Sequence, residues 1–417
     1  MRAFIPQPDR CIACTTCTVV CPVAQVTPNF LGPRMIGPAH ERFRLAGLGE
    51  DQSLHYCTNC KNCDISCPHG VPVSAFIMRA RNQIRKEAAL REQTPSLRDW
   101  LLAHGDVLAR WLKIVPAALK NFGMQLPLTR RMLHVFGIAK ESPLPLFAAK
   151  SFHALFRQYR QPDNLPRSVV FFPGCYVNIY DPESGLDMVA VLNRAGYRVV
   201  LPDGFTCCGL PLVANGFWED AKASATKNMQ ELASWKEKGL AVVTGCPSCA
   251  LMFKEDYAEY FPELVLEGVS PALEDVCEFL LDCIAKQELV VPDLPGRQHV
   301  FYHAPCHLRA QGMGLPGLEL LKAIPGLRVD NANAGCCGIS GSYGFKREKY
   351  AIAMQVGSAL FEAIRASDAT LCASECGTCR TQMRHGGGKE TRHPVSILRE
   401  HCDTDRGTPL SSGPNIK

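Results

Sequence analysis

The sequence predicts an α+β fold, in which a mostly helical cysteine-rich domain is followed by two α/β repeats. Three observations lead to this prediction: a doubled cysteine run near the N-terminus, an internal repeat of about 130 residues, and alternating strand and helix patterns in each repeat. The 417 residues suffice for two or three domains with hydrophobic cores. The predicted parts are residues 1–92, 93–165, 166–290 and 296–402, followed by a polar tail at 403–417 that we expect to be disordered.

Cysteine is the unusual part of the composition, because the chain has 22 cysteines that fall in tight clusters. The N-terminus carries no apolar signal segment, and no uninterrupted apolar run is long enough to span a membrane. We therefore expect a chain in the reducing cytoplasm whose thiolates bind metal instead of forming disulfides.

The N-terminal cysteines form two runs with identical spacing, C-x2-C-x2-C-x3-C-P. This is the spacing of bacterial two-cluster ferredoxins, in which three close thiolates bind one [4Fe-4S] cubane and the fourth binds the other. A pair of zinc sites is the alternative, but zinc sites use looser spacing. The predicted ligands are Cys11, Cys14, Cys17 and Cys67 for the first cluster, and Cys57, Cys60, Cys63 and Cys21 for the second.

Two helices are predicted within this ferredoxin-like domain. One is expected to start near Pro38, between the two cysteine runs. The other follows Pro72, because Val73, Phe76, Ile77 and Ile84 share one face at helical spacing.

The two repeats each contain a single cysteine, a Cys-Cys-Gly triplet and a Cys-x-x-Cys pair, at an offset of 129 to 131 residues. Strands are predicted at SVVFF, YRVVLP and LAVVTG in the first repeat and at HVFYH, LRVD and ATLCA in the second, with first-repeat helices at about 183–195 and 219–238. The candidate ligands are Cys175, Cys207, Cys208, Cys246 and Cys249 in the first repeat, and Cys306, Cys336, Cys337, Cys376 and Cys379 in the second.

Each group of cysteines follows the carboxyl end of a predicted strand, which is the edge where ligands bind in an open parallel sheet. The thiols of one repeat should therefore converge on one site. Adjacent cysteines can serve one site only if the backbone turns sharply, and Gly209 and Gly338 allow a positive φ for that turn. An iron–sulfur cluster accepts two neighbouring thiolates, whereas the alternative is a Cys-x-x-Cys zinc site beside structural cysteines.

These cysteines resemble the cysteine-rich CCG domain found in the B subunit of heterodisulfide reductase and its relatives. The wider similarity is to the iron–sulfur C subunits of anaerobic glycerol-3-phosphate dehydrogenases, and it covers most of residues 8–400. The resemblance implies one or two further clusters, of the non-cubane [4Fe-4S] type, in the CCG repeats, with zinc possible in one of them. The stretches that carry it are YCTNCKNCDISCPHGV, FLGPRMIGPAHERFR, FPGCYVN, CCGLPLVANGF, YHAPCHL and CCGISGSYGFKREKY.

The function implied by this resemblance is electron relay from FAD-containing dehydrogenase subunits to a membrane quinone, with no flavin in this chain. The iron–sulfur subunits of glycolate and lactate oxidases share the architecture, so a glycolate or lactate donor complex is an alternative. A heterodisulfide reductase-like catalyst, which reduces a disulfide itself, is another. Zinc in both repeats would instead make them a docking scaffold.

The segment 93–165 is the basic part of the chain, since residues 94–160 hold ten Lys or Arg and three Asp or Glu. A helical stripe with two tryptophans suits either peripheral contact with the inner face of an anionic cell membrane or packing against protein. Nucleic acid is not an expected partner. The stripe consists of Leu97, Trp100, Leu101, His104, Leu108, Trp111, Leu112 and Val115.

Two histidines, His303 and His307, flank Cys306. We expect one of them either to supply a proton or hydrogen bond near the second CCG site or to orient the thiolate. The glycines Gly312, Gly314 and Gly317 fit a dinucleotide pattern, but the following acidic residue comes too early for such a fold. The cysteines outside the motifs are expected to be buried structural thiols: Cys277, Cys283, Cys372 and Cys402.

Overall fold

The computed structural model describes residues 7–47, 52–90, 96–264, 273–293, 298–331 and 333–404. A helical N-terminal domain and helical connector precede two four-stranded parallel sheets, so the predicted α+β class is confirmed. The disorder predicted for the tail concerns 405–417, which lie outside the described residues. The first two tail residues are instead helical, because the last helix runs over Pro394–Thr404.

The N-terminal domain packs its long helix, Val73–Leu90, against the two cysteine loops, as predicted from the apolar spacing. The predicted helix start near Pro38 is confirmed, because the backbone leaves helical geometry at Gly37 and a helical segment runs from Pro38 into the helix His40–Leu45. Gly37 sits against Val73, where a Cβ would lie 2.9 Å from the valine methyl group. The other helical segments are Pro8–Arg10, Thr16–Val19, Met35–Ala39, His40–Leu45, Gln52–Tyr56 and Asn62–Ile65.

The connector consists of short helices, and the single helix predicted from the tryptophan stripe is wrong. His104 has φ −105° and ψ 42°, which ends one helix and starts the next at Gly105. The His104 ring stacks on Trp100 and bonds Asp220 of the first repeat. These side-chain contacts stabilise the interruption between the two helices. No helix among the described residues is long and apolar enough to cross a membrane. The connector helices are Leu97–Ala103, Gly105–Trp111, Leu112–Ile114, Ala117–Gln125, Pro127–Val135 and Phe152–Phe156.

The first repeat forms a parallel sheet in the order β2-β1-β3-β4. Its strands are β1 (Arg167–Phe172), β2 (Tyr197–Val200), β3 (Val242–Thr244) and β4 (Leu273–Asp275), of which the three-residue β4 was not predicted. The two predicted helices are present at Pro182–Arg194 and Trp218–Glu237. The remaining helical segments are Gly174–Ile179, Leu210–Asn215, Pro247–Leu251, Met252–Asp256, Tyr257–Tyr260, Pro262–Leu264 and Val276–Ala285.

The second repeat has the same strand order, β6-β5-β7-β8, which confirms the duplication inferred from the cysteine spacing. Its strands are β5 (His299–Tyr302), β6 (Arg328–Asn331), β7 (Leu371–Ala373) and β8 (Glu390–Arg392). The short β8 was not predicted. Its helices are Cys306–Ala310, Pro316–Lys322, Tyr343–Phe345, Arg347–Ala366, Gly377–Gly387 and Pro394–Thr404.

The two repeats pack against each other through a shared core and a reciprocal pair of contacts. Tyr176, which follows Cys175, reaches the second repeat and bonds the Thr381 hydroxyl at 2.7 Å. Its counterpart His307, which follows Cys306, reaches the first repeat and bonds the Ser248 hydroxyl at 2.9 Å. Both contacts end on the Cys-x-x-Cys helix of the opposite repeat, so each repeat positions the other's ligand loop.

Candidate iron–sulfur sites

The first ferredoxin site is a cavity at one end of the N-terminal domain. Ala13 and Thr15 adopt left-handed backbone conformations, with φ of 60° and 64°, and this wraps the loop around the cavity. The Cys14 thiol is exposed, and the Val71 N–H points at the Cys67 sulfur at a distance of 3.3 Å. All four cysteines predicted for the first cluster line this cavity: Cys11, Cys14, Cys17 and Cys67.

The second ferredoxin site repeats this geometry in a more buried place. Asn59 and Lys61 have φ of 53° and 59°, at the positions equivalent to the left-handed residues of the first loop. The Asn59 N–H lies 3.4 Å from the Cys57 sulfur. The cavity is lined by the four cysteines predicted for the second cluster: Cys21, Cys57, Cys60 and Cys63.

Four thiols around each cavity are a donor set that fits a [4Fe-4S] cluster. Burial raises the pKa of Cys57, Cys60 and Cys63, so these thiols keep their protons until a cation compensates the thiolate charge. Metal binding would release those protons and couple cluster assembly to the folded state.

The first CCG site brings all five predicted cysteines of its repeat together at the carboxyl edge of the sheet. Hydrogen bonds from Cys175 and then Cys208 lower the pKa of Cys207. Hydrogen bonds to Cys208 and Cys246 raise the pKa of Cys249, so the five thiols form one continuous chain. Gly174, with φ +67°, makes room for this chain, because a Cβ there would lie 3.1 Å from the Cys249 sulfur.

The second CCG site gathers its cysteines in the same way. The sulfurs of Cys337 and Cys379 are 3.1 Å apart, and a hydrogen bond from Cys379 lowers the pKa of Cys376 to about 6. A hydrogen bond to Cys337 raises the pKa of Cys336. Burial raises the pKa of Cys306.

His303 distinguishes the second CCG site from the first. Its ring lies within 4.8 Å of the sulfurs of Cys337 and Cys379, and all three side chains are buried. The equivalent position in the first repeat is Phe172. The second site thus has an imidazole beside its thiols, which fits either a cysteine-bound iron–sulfur cluster or a mixed Cys/His zinc site.

The Cys-Cys-Gly triplet has the positive φ predicted for it in both repeats, with 86° at Gly209 and 82° at Gly338. A Cβ at Gly338 would lie 2.0 Å from the carbonyl oxygen of Ala353. Glycine is therefore required for the turn that directs two adjacent thiols toward one site and for the close approach of the following helix.

The second ferredoxin site lies directly against the second CCG site. Beyond the effect of burial, Cys60 contributes to the raised pKa of Cys306, which means that the two thiols are electrostatic neighbours. Two hydrogen bonds close this junction: Ser340 Oγ donates to Thr58 O, and His307 Nε2 lies 3.0 Å from Asn59 O.

A buried ion pair holds the loop of the second ferredoxin site against the first repeat. Lys61 Nζ lies 2.6 Å from Asp256 and 3.0 Å from Glu259, and Asp256 is fully buried. Asp256 holds the pKa of Lys61 well above its usual value although burial opposes this. Sequence reasoning missed Lys61, because a lysine between two cysteines carries no signal about which domain it will face.

The two histidines predicted near Cys306 have different surroundings. His303 faces the thiols of the second CCG site, whereas both ring nitrogens of His307 are hydrogen-bonded. A backbone carbonyl can only accept, so Nε2 of His307 carries the proton and Nδ1 accepts from Ser248 in the neutral ring. Burial lowers the pKa of His307, which favours that neutral form. The four remaining cysteines are buried as predicted: Cys277, Cys283, Cys372 and Cys402.

Comparison with known proteins agrees with these sites. Residues 7–71 match the 4Fe-4S dicluster domain, and residues 169–254 and 300–384 each match the cysteine-rich domain abbreviated CCG. The C subunit of anaerobic glycerol-3-phosphate dehydrogenase from Escherichia coli strain K12 is 34% identical over 94% of this chain and 98% of its own length. The chain belongs to the family of anaerobic glycerol-3-phosphate dehydrogenase C subunits.

Two other relatives place this C subunit among iron–sulfur proteins of related architecture. The B subunit of fumarate reductase (CoM/CoB) from Methanothermobacter marburgensis is 28% identical over 93% of the chain and 70% of its own length. Lactate utilization protein A 1 of Bacillus mycoides is 28% identical over 56% of the chain and 96% of its own length. The chain is an iron–sulfur electron-transfer subunit related to these proteins.

Proposed function

We propose that this C subunit relays electrons from FAD-containing partner subunits, which oxidise glycerol 3-phosphate, to a quinone in the cell membrane. Two [4Fe-4S] cubanes at the ferredoxin sites and one or two non-cubane [4Fe-4S] clusters at the CCG sites would supply one-electron redox chemistry. Zinc is the alternative occupant of one CCG site. The residues of this chain hold the second ferredoxin site against the second CCG site.

The observation that carries the proposal is the junction between Cys60 and the second CCG site. Cys60 is an electrostatic neighbour of both Cys306 and Cys336. The hydrogen bond between His307 and Asn59 and the buried pair Lys61–Asp256 fix this loop on both repeats. Electrons can therefore pass from the ferredoxin domain to the CCG repeats within one rigid, buried contact.

The opposite end of the ferredoxin domain suits electron entry from a flavoprotein. Its loop residue Ala13 is exposed, whereas Asn59, at the equivalent position of the second loop, is buried against the repeats. Exposed apolar side chains at Val19, Leu31 and Ile65 lie on the same domain. A partner protein that covers this end would approach the first cluster closely and dehydrate its surface.

The connector supplies a surface that suits a membrane. We define the apolar hairpin as residues 111–136, which include the helices Ala117–Gln125 and Pro127–Val135. No acidic residue occurs between positions 107 and 140, so the hairpin and its flanks are uniformly basic and complement anionic lipid. Its exposed apolar side chains are Trp111, Ile114, Leu119, Phe122, Leu126, Leu128, Met132, Val135 and Phe136.

Iron, sulfide and zinc per chain, measured on protein purified without air, test the cofactor part of the proposal. About 16 iron without zinc would mean four four-iron clusters, and about 12 iron with one zinc would leave one CCG site structural. About 8 iron with two zinc would overturn the non-cubane assignment and leave a ferredoxin joined to a scaffold.

Electron delivery is tested with the full complex of this chain and its flavoprotein partners in vesicles that contain a quinone. Quinone reduction that depends on glycerol 3-phosphate and on this chain supports the proposal. Reduction driven by lactate or glycolate alone would assign the chain to the related oxidase complexes. Reduction of a disulfide by the reduced chain, without quinone reduction, would favour the heterodisulfide reductase-like alternative.

A further inference from the structure

Two cations lie beside the second ferredoxin site with no carboxylate partner among the described residues. Arg81, on the helix Val73–Leu90, donates from Nη2 to Cys57 O at 2.6 Å and from Nε to Leu54 O at 2.9 Å. Lys349, on the helix Arg347–Ala366 of the second repeat, is 5% exposed. Within the described part of the chain, neither cation has an Asp or Glu oxygen within 4.0 Å.

Lys349 is held by aromatic faces next to a cluster ligand. Its ammonium lies 3.1 Å from the ring centroid of Tyr56, the residue before Cys57, and 5.6 Å from that of Tyr343. Cation–π contact compensates only part of the hydration that a buried ammonium loses. Such a charge needs an anion nearby, and the described residues supply none at contact distance.

Tyr343 provides a second, independent observation at the same place. Its side chain is 8% exposed, and its hydroxyl has no hydrogen-bond partner among the described residues. Burial raises the pKa of Tyr343, and Arg81, Cys57 and Cys21 are among its electrostatic neighbours. The hydroxyl is therefore a buried donor without a partner in the part of the chain that the structure describes, on a ring that lies 5.6 Å from the Lys349 ammonium.

An anionic cluster at that site would satisfy all three groups. A [4Fe-4S] cluster with four thiolates is negatively charged and gains one further negative charge on reduction. Its potential depends on nearby charge, on hydrogen bonds to its sulfurs and on solvent exposure. Cations and donors favour the more negative, reduced form. At the first ferredoxin site Cys14 is solvent-exposed, so charges placed there are screened more strongly.

We propose that Arg81, Lys349 and Tyr343 raise the reduction potential of the second ferredoxin cluster. Because Lys349 and Tyr343 belong to the second CCG repeat, that repeat favours reduction of the neighbouring ferredoxin cluster. The step concerned is a one-electron transfer between the two ferredoxin clusters, with no bond formed or broken and no proton moved. This inference rests on the proposed cofactor content and adds a direction to the relay.

The test is a potentiometric titration followed by electron paramagnetic resonance on the full chain with its clusters. The couple that is lost in Cys60→Ala identifies the second ferredoxin cluster. Lys349→Met and Tyr343→Phe should each lower the potential of that couple. For Lys349→Met we expect the equilibrium constant for electron transfer between the two cubanes to change about tenfold in favour of the first cubane. This change is equivalent to about 59 mV for a one-electron couple. Lys86→Met is the matched control, because Lys86 lies on the Arg81 helix with its side chain 63% exposed, and it should leave the potential unchanged.

The outcomes separate this inference from the proposed function. A native chain without a cubane couple that depends on Cys60 would overturn the cofactor assignment and the inference together. A native couple whose potential is the same in Lys349→Met and Tyr343→Phe would overturn the inference alone. If Lys349→Met fails to assemble its cluster, Tyr343→Phe decides, since it removes one hydroxyl and leaves the packing in place.

Discussion

His307 Nε2 lies 3.0 Å from the backbone carbonyl oxygen of Asn59, which joins the second CCG repeat to the second ferredoxin loop. The other ring nitrogen of His307 bonds Ser248 of the first repeat. One imidazole therefore connects three parts of the chain that are far apart in sequence. The relay depends on such cross-domain bonds, because electron transfer requires the sites to stay at a constant short distance.

Replacing His307 with alanine should loosen this junction without removing a cluster ligand. Loss of two hydrogen bonds, of which the buried one leaves the Asn59 carbonyl unsatisfied, is expected to cost about 1–3 kcal/mol. Amide hydrogen exchange of the segment 57–63 should speed up, while iron content stays unchanged. Ser248→Ala, which keeps the bond to Asn59, should have a smaller effect.

The same variant tests the proton-supplying role predicted for His307. A ring that only holds the junction lowers quinone turnover by the same factor at every pH. A changed shape of the pH profile in His307→Ala would instead support proton transfer by this residue.

Gly338→Ala should destabilise the second repeat strongly. The new Cβ would meet the Ala353 carbonyl at 2.0 Å, in addition to the strain of φ +82°. We expect a loss of about 3 kcal/mol or more, measured by urea unfolding. Gly335→Ala is a matched control with φ +87° and no atom within 4 Å of the new Cβ. It should cost about 1–2 kcal/mol, and equal losses in the two variants would contradict the importance of the close approach.

Cys60→Ala should lower the iron content by about four per chain, since Cys60 lines the second ferredoxin cavity. Cys277→Ala is the control for removal of a buried thiol. Cys277 is fully buried but belongs to the hydrophobic core between the repeats, so its loss should leave the iron content unchanged. Loss of iron in Cys277→Ala, or full iron in Cys60→Ala, would contradict the ligand assignment.

Acidic substitutions in the apolar hairpin should weaken binding to anionic vesicles. Phe122→Glu and Leu128→Glu each remove an exposed apolar side chain and add a charge of the wrong sign, and we expect at least about a tenfold loss in vesicle flotation. Val290→Glu, at an exposed apolar position outside the hairpin, should bind as the native chain does. If the hairpin variants bind vesicles normally but no longer join the partner subunits, the hairpin contacts protein instead.

Much of the site could be predicted from the sequence, because cluster ligation imposes a local spacing on cysteines. The two C-x2-C-x2-C-x3-C-P runs predicted which four thiols line each ferredoxin cavity, and the reach across to Cys21 and Cys67 followed from the same spacing. The repeat offset likewise predicted the five-cysteine groups. The single helix predicted through His104 was wrong, because His104 leaves helical geometry while its ring stacks on Trp100 and bonds Asp220, a contact that no local pattern encodes.

The sequence by itself determined the chemistry: the residues that can bind metal, the duplication of the CCG unit, and the glycine needed at Gly338. These are local properties, since ligand spacing and a positive φ involve only a few neighbouring residues. Only the tertiary structure decided that the second ferredoxin site, and not the first, faces the repeats, and that Lys349 and Tyr343 lie beside Cys57. Which surfaces of separate units meet depends on the sum of many long-range contacts, such as Lys61 with Asp256, and no local pattern encodes that sum.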